Sequence, residues 1–271
     1  MSALLLSRAL DANKADHGSL GVLGGTTGTV GAAFLSARAA LMTGTGRVFV
    51  VRSSLADGYV LDALMPELMV IAADHCHEKP ITTWLAGPGL GISPPAATYF
   101  EKLLLSGAPL VIDADGLNLL STDSALTALC QERAAPTILT PHPGEAARLL
   151  GVTVSDIQAN RPSAATALVE KYHVHVVLKG YQTLIASPGQ PIVMNQTGNP
   201  SLAVAGTGDV LAGFMGSLVA QGIRPDLAAT HAVRIHGLAA DRLVGRLGGV
   251  LGLTASELIP EIRAVLNAEQ R

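Results

Sequence analysis

Short apolar runs that stop on glycine, proline or aspartate, each followed by a helix-like stretch, restrict this chain to few architectures. Ser19–Leu23 runs into Gly24-Gly25, and Ala32–Met42 then reads as a small-residue helix. Arg47–Val51 is a β-branched run, and Thr83–Leu85 stops at Gly87-Pro88-Gly89. Leu110–Ile112 stops at Asp113, Thr137–Leu139 at Thr140-Pro141, and Val174–Leu178 at Lys179-Gly180. Strands that alternate with helices build βαβ units and a mostly parallel sheet covered on both faces. Such strands are buried on both sides and need no polar alternation. Beyond about residue 208 the pattern becomes helical, over Asp209–Gln221, Asp226–Arg246 and Ala255–Asn267. Ligands of open parallel sheets sit at the carboxyl ends of strands, and the polar residues just named lie at such ends.

Composition removes other classes. The 271 residues suit a single α/β domain spanning 1–271. Hydrophobic residues make up 49 % and charged residues 14 %, against a usual charged share of about 25 %. A disordered chain needs the opposite balance. A net charge of −3 without a Lys/Arg run excludes a basic nucleic-acid binder. The longest charge-free stretches, Gly18–Ala37 and Thr183–Gly208, are rich in Gly, Thr, Ser, Asn or Pro. Val210–Ile223 is shorter than the roughly 20 residues of a membrane span. The apolar block Leu4–Leu6 is too short for a signal-peptide core. Cys76 and Cys130 match no metal or redox spacing, so a reducing, cytoplasmic setting is expected. The charge deficit points to further burial between subunits, with Ala228–Val244 available either as a contact face or as core.

In Gly198-Asn199-Pro200 through Gly206-Thr207-Gly208-Asp209 to Gly213, Gly206 and Gly208 free the backbone to turn tightly. A helix starting near Asp209 then aims N–H groups and a positive dipole end at an anion. Asp209 is either a cap of that helix or a general base. No Walker phosphate loop occurs, and Gly24-Gly25 with Gly28 lacks the dinucleotide spacing. Thr140-Pro141-His142-Pro143-Gly144-Glu145 follows a strand and opens a helix. There Glu145 either caps N–H groups or orders metal-bound water beside phosphates. His142 offers a ring nitrogen, though it is one of 8 histidines. Lys179-Gly180-Tyr181-Gln182-Thr183 reads as strand–turn–strand, with a lysine for a nucleotide phosphate or for solvent. Asp113-Ala114-Asp115-Gly116-Leu117-Asn118 ends another strand, with carboxylates for a metal or sugar or for a helix start.

Together these segments resemble the ADP/ATP-dependent NAD(P)H-hydrate dehydratases, the carboxy-terminal catalytic domain type of the YjeF group in the ribokinase-like superfamily. The resemblance runs in order from His17-Gly18, Gly24-Gly25 and Gly31-Ala32 through Gly87-Pro88-Gly89-Leu90-Gly91 and Asp113–Asn118. It continues through Leu139–Glu145, Leu178-Lys179-Gly180, Thr197–Pro200 and Gly206–Gly213 to His236-Gly237. It implies a three-layer α/β/α sandwich around a mostly parallel sheet. It implies dehydration of the S form of hydrated NADH or NADPH, with ADP or ATP as co-substrate and Mg2+. By the same match Asp209 is the base, and Lys179, Gly180, Tyr181, Gln182, Thr183, Gly206, Thr207 and Gly208 bind nucleotide. Ala32, Gly89, His142 and Asp209 line the substrate, and Glu145 meets magnesium through water. Relatives are commonly tetramers, and many carry an epimerase domain in front, so a homotetramer and a separate epimerase are expected here. The chain departs from many relatives at Thr26–Val30 and at Ser201-Leu202. A superfamily kinase acting on a vitamin-precursor alcohol is the alternative; such kinases usually have asparagine where His142 stands.

Overall fold

The computed structural model describes Leu6, residues 8–53 and residues 60–270. Leu4 and Leu5 of the amino-terminal apolar block lie outside the described residues. A sheet of nine strands forms the middle layer, in the order β3-β2-β1-β4-β5-β6-β7-β8-β9. Its parallel part comprises β1 (Ser19–Leu23), β2 (Arg47–Arg52), β3 (Met69–Ala72), β4 (Thr83–Ala86), β5 (Leu110–Ile112), β6 (Thr137–Leu139) and β7 (His175–Leu178). β8 (Leu184–Ala186) and β9 (Val193–Met194) close one edge antiparallel. The expected runs for β1, β5 and β6 match these bounds, whereas β3 gave no such signal.

Alternating side chains feed two cores. Leu20, Val22, Val50, Leu85, Val111 and Val177 face one. Leu23, Val51, Trp84, Ile112, Leu139 and Leu178 face the other. The second core is covered by α2 (Pro94–Leu104), α3 (Asp115–Thr122), α4 (Ser124–Gln131), α5 (Pro143–Leu150), α6 (Val154–Ala159) and α7 (Arg161–Tyr172). The first is covered by α1 (Val30–Met42), α8 (Thr207–Ala220), α9 (Pro225–Leu247) and α10 (Ala255–Ala268). Strands apolar on both sides are what a doubly covered parallel sheet requires. Ala228, Ala232, Ile235, Ala239, Ala240 and Leu243 on α9 are all buried in the first core. That segment is therefore spent on core packing within the chain. Among the described residues no helix is long and apolar enough to cross a membrane.

The innermost pair, α1 and α8, meets backbone to backbone. A Cβ on Gly213 would sit 2.1 Å from the Ser36 carbonyl oxygen, so no larger residue fits there. Chain order reverses between β1 and β4, which opens a crevice at their carboxyl ends. Loops at those ends are stitched together: Gly25 N donates to Pro88 O, Thr26 N to Gly89 O, and Lys179 N to Pro141 O.

Candidate functional site

Two helices open onto this crevice in different ways. α5 starts with a reciprocal cap: His142 Nδ1 accepts from Gly144 N at 3.0 Å and Glu145 N at 3.3 Å. Glu145 Oε2 in turn accepts from His142 N at 2.7 Å. Accepting at Nδ1 fixes the neutral tautomer, with its proton on Nε2, 3.3 Å from Glu145 Oε1. Burial, then the Lys179 and Arg148 charges, holds the His142 pKa below its ordinary value, which disfavours an ion pair at this contact. α8 starts after Gly206 at φ +90° with no side-chain cap. The left-handed φ favours glycine at 206, and a Cβ there would also press on Leu35 Cδ1, 2.6 Å away. The left-handed residue sets the helix start at Thr207, two residues before the expected Asp209.

Lys179 lies between these helices. Its Nζ donates to buried Asp113 Oδ1 at 2.6 Å and lies 3.8 Å from Glu145 Oε2. A Cβ on Gly208 would be 3.6 Å from the same Nζ, which places the ammonium beside the first turn of α8. Burial works against the Lys179 charge, but Asp113 and Glu145 outweigh it and its pKa is raised. Burial, reinforced by the Asp113 charge, pushes Asp209 up to about 6. Burial pushes Glu145 up to about 7, with the Lys179 charge opposing. Several carboxylates thus compete for one ammonium, a pattern typical of sites that handle protons and phosphates.

The other anticipated residues fall into two groups. Ser36 Oγ lies 3.2 Å from Ala32 O and 2.9 Å from Asp209 O, joining Ala32 to the start of α8. Thr29 Oγ1 donates to Gly89 O at 3.1 Å, joining that glycine to α1. Thr207 Oγ1 donates to Leu202 O and Val204 O, closing the loop before α8. Gly180, Tyr181, Gln182 and Thr183 form the expected turn between β7 and β8, with Thr183 Oγ1 donating to Gly180 O. Tyr181 is 86 % exposed.

The two aspartates at the end of β5 part company. Ala114, at φ +49°, turns the chain between them. Asp113 serves Lys179, while Asp115 Oδ2 accepts from Gly91 N at 2.8 Å and Oδ1 from Asn118 Nδ2 at 3.1 Å. Further contributors include Arg161 and Asp241, which had no distinctive sequence signal, and His236, which the resemblance marked without a role. Arg161 Nη2 donates to Leu178 O and Lys179 O, clamping the lysine turn. Asp241 on α9 accepts from Gly198 N at 2.9 Å and Asn199 Nδ2 at 2.8 Å. Buried His236 meets Thr207 O through Nε2 at 3.0 Å, and burial lowers its pKa to about 4, so it is neutral.

Among the described residues no three His, Cys, Asp or Glu side chains converge to hold a metal ion. The donors at hand are carboxylate oxygens, which suit a hard cation that arrives on phosphates and touches the protein through one carboxylate. Glu145 fits that mode; a cage made of protein alone does not.

A mostly parallel sheet between two helical layers, with an uncapped helix start beside a lysine, agrees with the expected ribokinase-like fold. A ribokinase-like protein from Enterococcus faecalis V583 superposes with a TM-score of 0.85 at 25 % identity, over 98 % of this chain and 93 % of that one. Residues 20–263 match the family model described as NAD(P)H-hydrate dehydratase, and the chain belongs to that family. It is 41 % identical over 264 residues to the ADP-dependent (S)-NAD(P)H-hydrate dehydratase of Neisseria meningitidis serogroup B, covering 96 % of this chain and 89 % of that protein. It is also 41 % identical to the bifunctional NAD(P)H-hydrate repair enzyme Nnr of Coxiella burnetii, where it covers 97 % of this chain but 53 % of the relative. The chain thus spans about half the length of that bifunctional relative. The Bacillus subtilis ADP/ATP-dependent NAD(P)H-hydrate dehydratase, co-crystallised with ATP/Mg2+, superposes at TM-score 0.85 and 28 % identity, over 98 % of this chain and 95 % of that one.

Proposed function

We propose that this chain dehydrates the S form of hydrated NADH or NADPH back to the working cofactor, with ADP or ATP as phosphoryl donor. The observation that carries the reading is the juxtaposition of an uncapped α8 start, Asp209 in its first turn and the Lys179 ammonium beside Gly208. In this reading the phosphates rest on the Gly206–Gly208 turn, with Lys179 supplying charge and Gly180, Tyr181, Gln182 and Thr183 lining the nucleotide. Hydrated substrate lies against Ala32, Gly89 and His142. Asp209 takes the proton of the ring hydroxyl as its oxygen attacks the terminal phosphorus, a role suited to an acid near pH 6. Hydroxide leaves poorly and phosphate leaves well. Departure of phosphate, with loss of a proton from the adjacent ring carbon, re-forms the double bond and leaves AMP or ADP. Mg2+, when present with the nucleotide, neutralises phosphate charge, and Glu145 would meet it through water.

The test is direct. Hydrated NADH is supplied with ADP or ATP and magnesium, and dihydronicotinamide absorbance and phosphate release are followed. Recovery of absorbance is expected with at least one nucleotide. Phosphorylation of an alcohol without such recovery would overturn the reading in favour of a kinase.

We also read residues 1–271 as a single catalytic domain, working in the cytoplasm as a homotetramer and paired with a separate epimerase. The tetramer rests on the 14 % charge and on the resemblance, because the apolar residues of α9 are buried within the chain. Its mass in solution is the check.

A further inference from the structure

One cation at the rim has donors that meet no group among the described residues. Arg148 is exposed on α5, and a sufficient structural explanation would be that it offsets the carboxyl-end dipole of that helix. Its side chain does something else. A Cβ on Gly144 would lie 3.9 Å from Arg148 Nη1, so the guanidinium reaches back over the first turn of α5, beside His142. Long helical side chains lean towards the amino end, which allows this reach. Nη2 donates to Asn118 Oδ1 at 2.9 Å. Asn118 is held by Asp115, and Asp115 holds Gly91 N. A chain of hydrogen bonds therefore runs from the Gly87–Gly91 loop, which carries Gly89, to the helix that carries His142.

Charge makes the position informative. Lys179 and Arg148 are the basic groups that bear on both His142 and Glu145. Lys179 is committed to Asp113. Among the described residues, Asn118 is the side-chain hydrogen-bond partner of Arg148, and no carboxylate pairs with it. A guanidinium has five N–H donors in a planar fork that matches phosphate oxygens. The surrounding crevice is rich in carboxylates, whereas the substrate class carries at least a pyrophosphate. An anionic substrate laid between Gly89 and His142 meets Arg148 at the rim.

We infer that Arg148 is a specificity-determining residue that grips a phosphate of the dinucleotide substrate, with Asn118 aiming its fork; this rests on the proposed substrate. The probes are NADH and NADPH, titrated by their own fluorescence into wild type and Arg148→Gln, with steady-state kinetics on both hydrates alongside. Arg148→Gln is expected to weaken dinucleotide binding and raise the KM for hydrate about tenfold or more, the scale of a charge-assisted hydrogen bond. The KM for ADP or ATP and the thermal midpoint stay unchanged, and kcat changes far less than KM. Arg148→Lys restores part of the affinity, and added salt weakens wild type more steeply than Arg148→Gln. Equal losses with NADH and NADPH assign the contact to the pyrophosphate, and a loss confined to NADPH assigns it to the 2′-phosphate. Unchanged dinucleotide affinity, or a parallel rise in nucleotide KM, overturns the inference. If wild type binds NADPH yet fails to restore hydrate, the proposed reaction is what fails, because the titration reads Arg148 independently.

Discussion

The starts of α5 and α8 face the same crevice and are built in opposite ways. α5 is closed by its own sequence: His142 and Glu145 satisfy each other's backbone N–H groups. α8 begins at a left-handed glycine, and no side chain caps it. The first four N–H groups of a helix have no partner inside it. Where a cap fills that role the helix end is sealed; where none does, it is a seat for an external anion. Motif spacing alone treats the two segments alike, as a loop opening a helix with an acid in the first turn. The acids differ in consequence. Glu145 is tied to backbone N–H, while Asp209 uses its main-chain carbonyl to accept from Ser36 and leaves its carboxylate to the crevice.

The sharpest way to break this contrast is Asp209→Asn. It is expected to keep nucleotide binding and lose about 10²- to 10⁴-fold in turnover, the usual worth of a general base. Wild-type turnover, measured by absorbance recovery, would reduce Asp209 to a helix-start residue. Lys179→Met comes next. It leaves Asp113 buried without its partner and costs about 3 kcal/mol of stability by denaturant titration, together with nucleotide affinity. The pair Lys179→Met with Asp113→Asn recovers stability but not affinity.

A smaller effect is set by pH. The values of about 6 for Asp209 and about 7 for Glu145 lie above their ordinary values of 3.8 and 4.5. The free-enzyme kcat/KM is therefore expected to rise with pH through a coupled limb near 6 to 7, falling about tenfold per unit below it. Stability moves the other way. Between those ordinary and raised values the folded chain binds more protons than the unfolded one. The contribution of these two carboxyls is full below about pH 4 and is lost as pH rises through about 6 and 7. Thermal midpoints from pH 4 to 8 check that sign. The smallest effect is at the sealed end: His142→Ala removes a cap worth about 1 kcal/mol. His142→Asn, a good cap, returns the stability; a substrate KM that stays raised would show that the ring also meets substrate.

Much of the scaffold was legible because doubly buried strands leave short apolar runs that end abruptly. Ser19–Leu23, Leu110–Ile112 and Thr137–Leu139 matched β1, β5 and β6, since glycine, aspartate or proline stops each one. Met69–Ala72 did not stand out, because an edge strand is only partly buried and no glycine, proline or aspartate directly ends it. For the site, the segments were legible but their partnerships were not. Asp113 meets Lys179 across 66 positions, and nothing local distinguishes it from Asp115. The left-handed Ala114 that separates the two aspartates has no glycine to announce it. Arg161 and His236 act on backbone carbonyls, which carry no sequence signature, and Asp241 reaches Gly198 and Asn199 from a distant helix. The burial of the apolar residues of Ala228–Val244 depends on which layer α9 joins, and no local pattern sets that.

The contact between Gly213 and Ser36 has a mechanical consequence. At Gly213, α8 meets the main chain of α1 with no side chain between them, so a roll of α8 there collides with its neighbour. The floor that carries Asp209 therefore behaves as a fixed anvil. Adaptation to a substrate is left to the loops around it, Gly24–Thr29, Gly87–Gly91 and Lys179–Thr183, where exchanges such as those at Thr26–Val30 can retune contacts without moving the base.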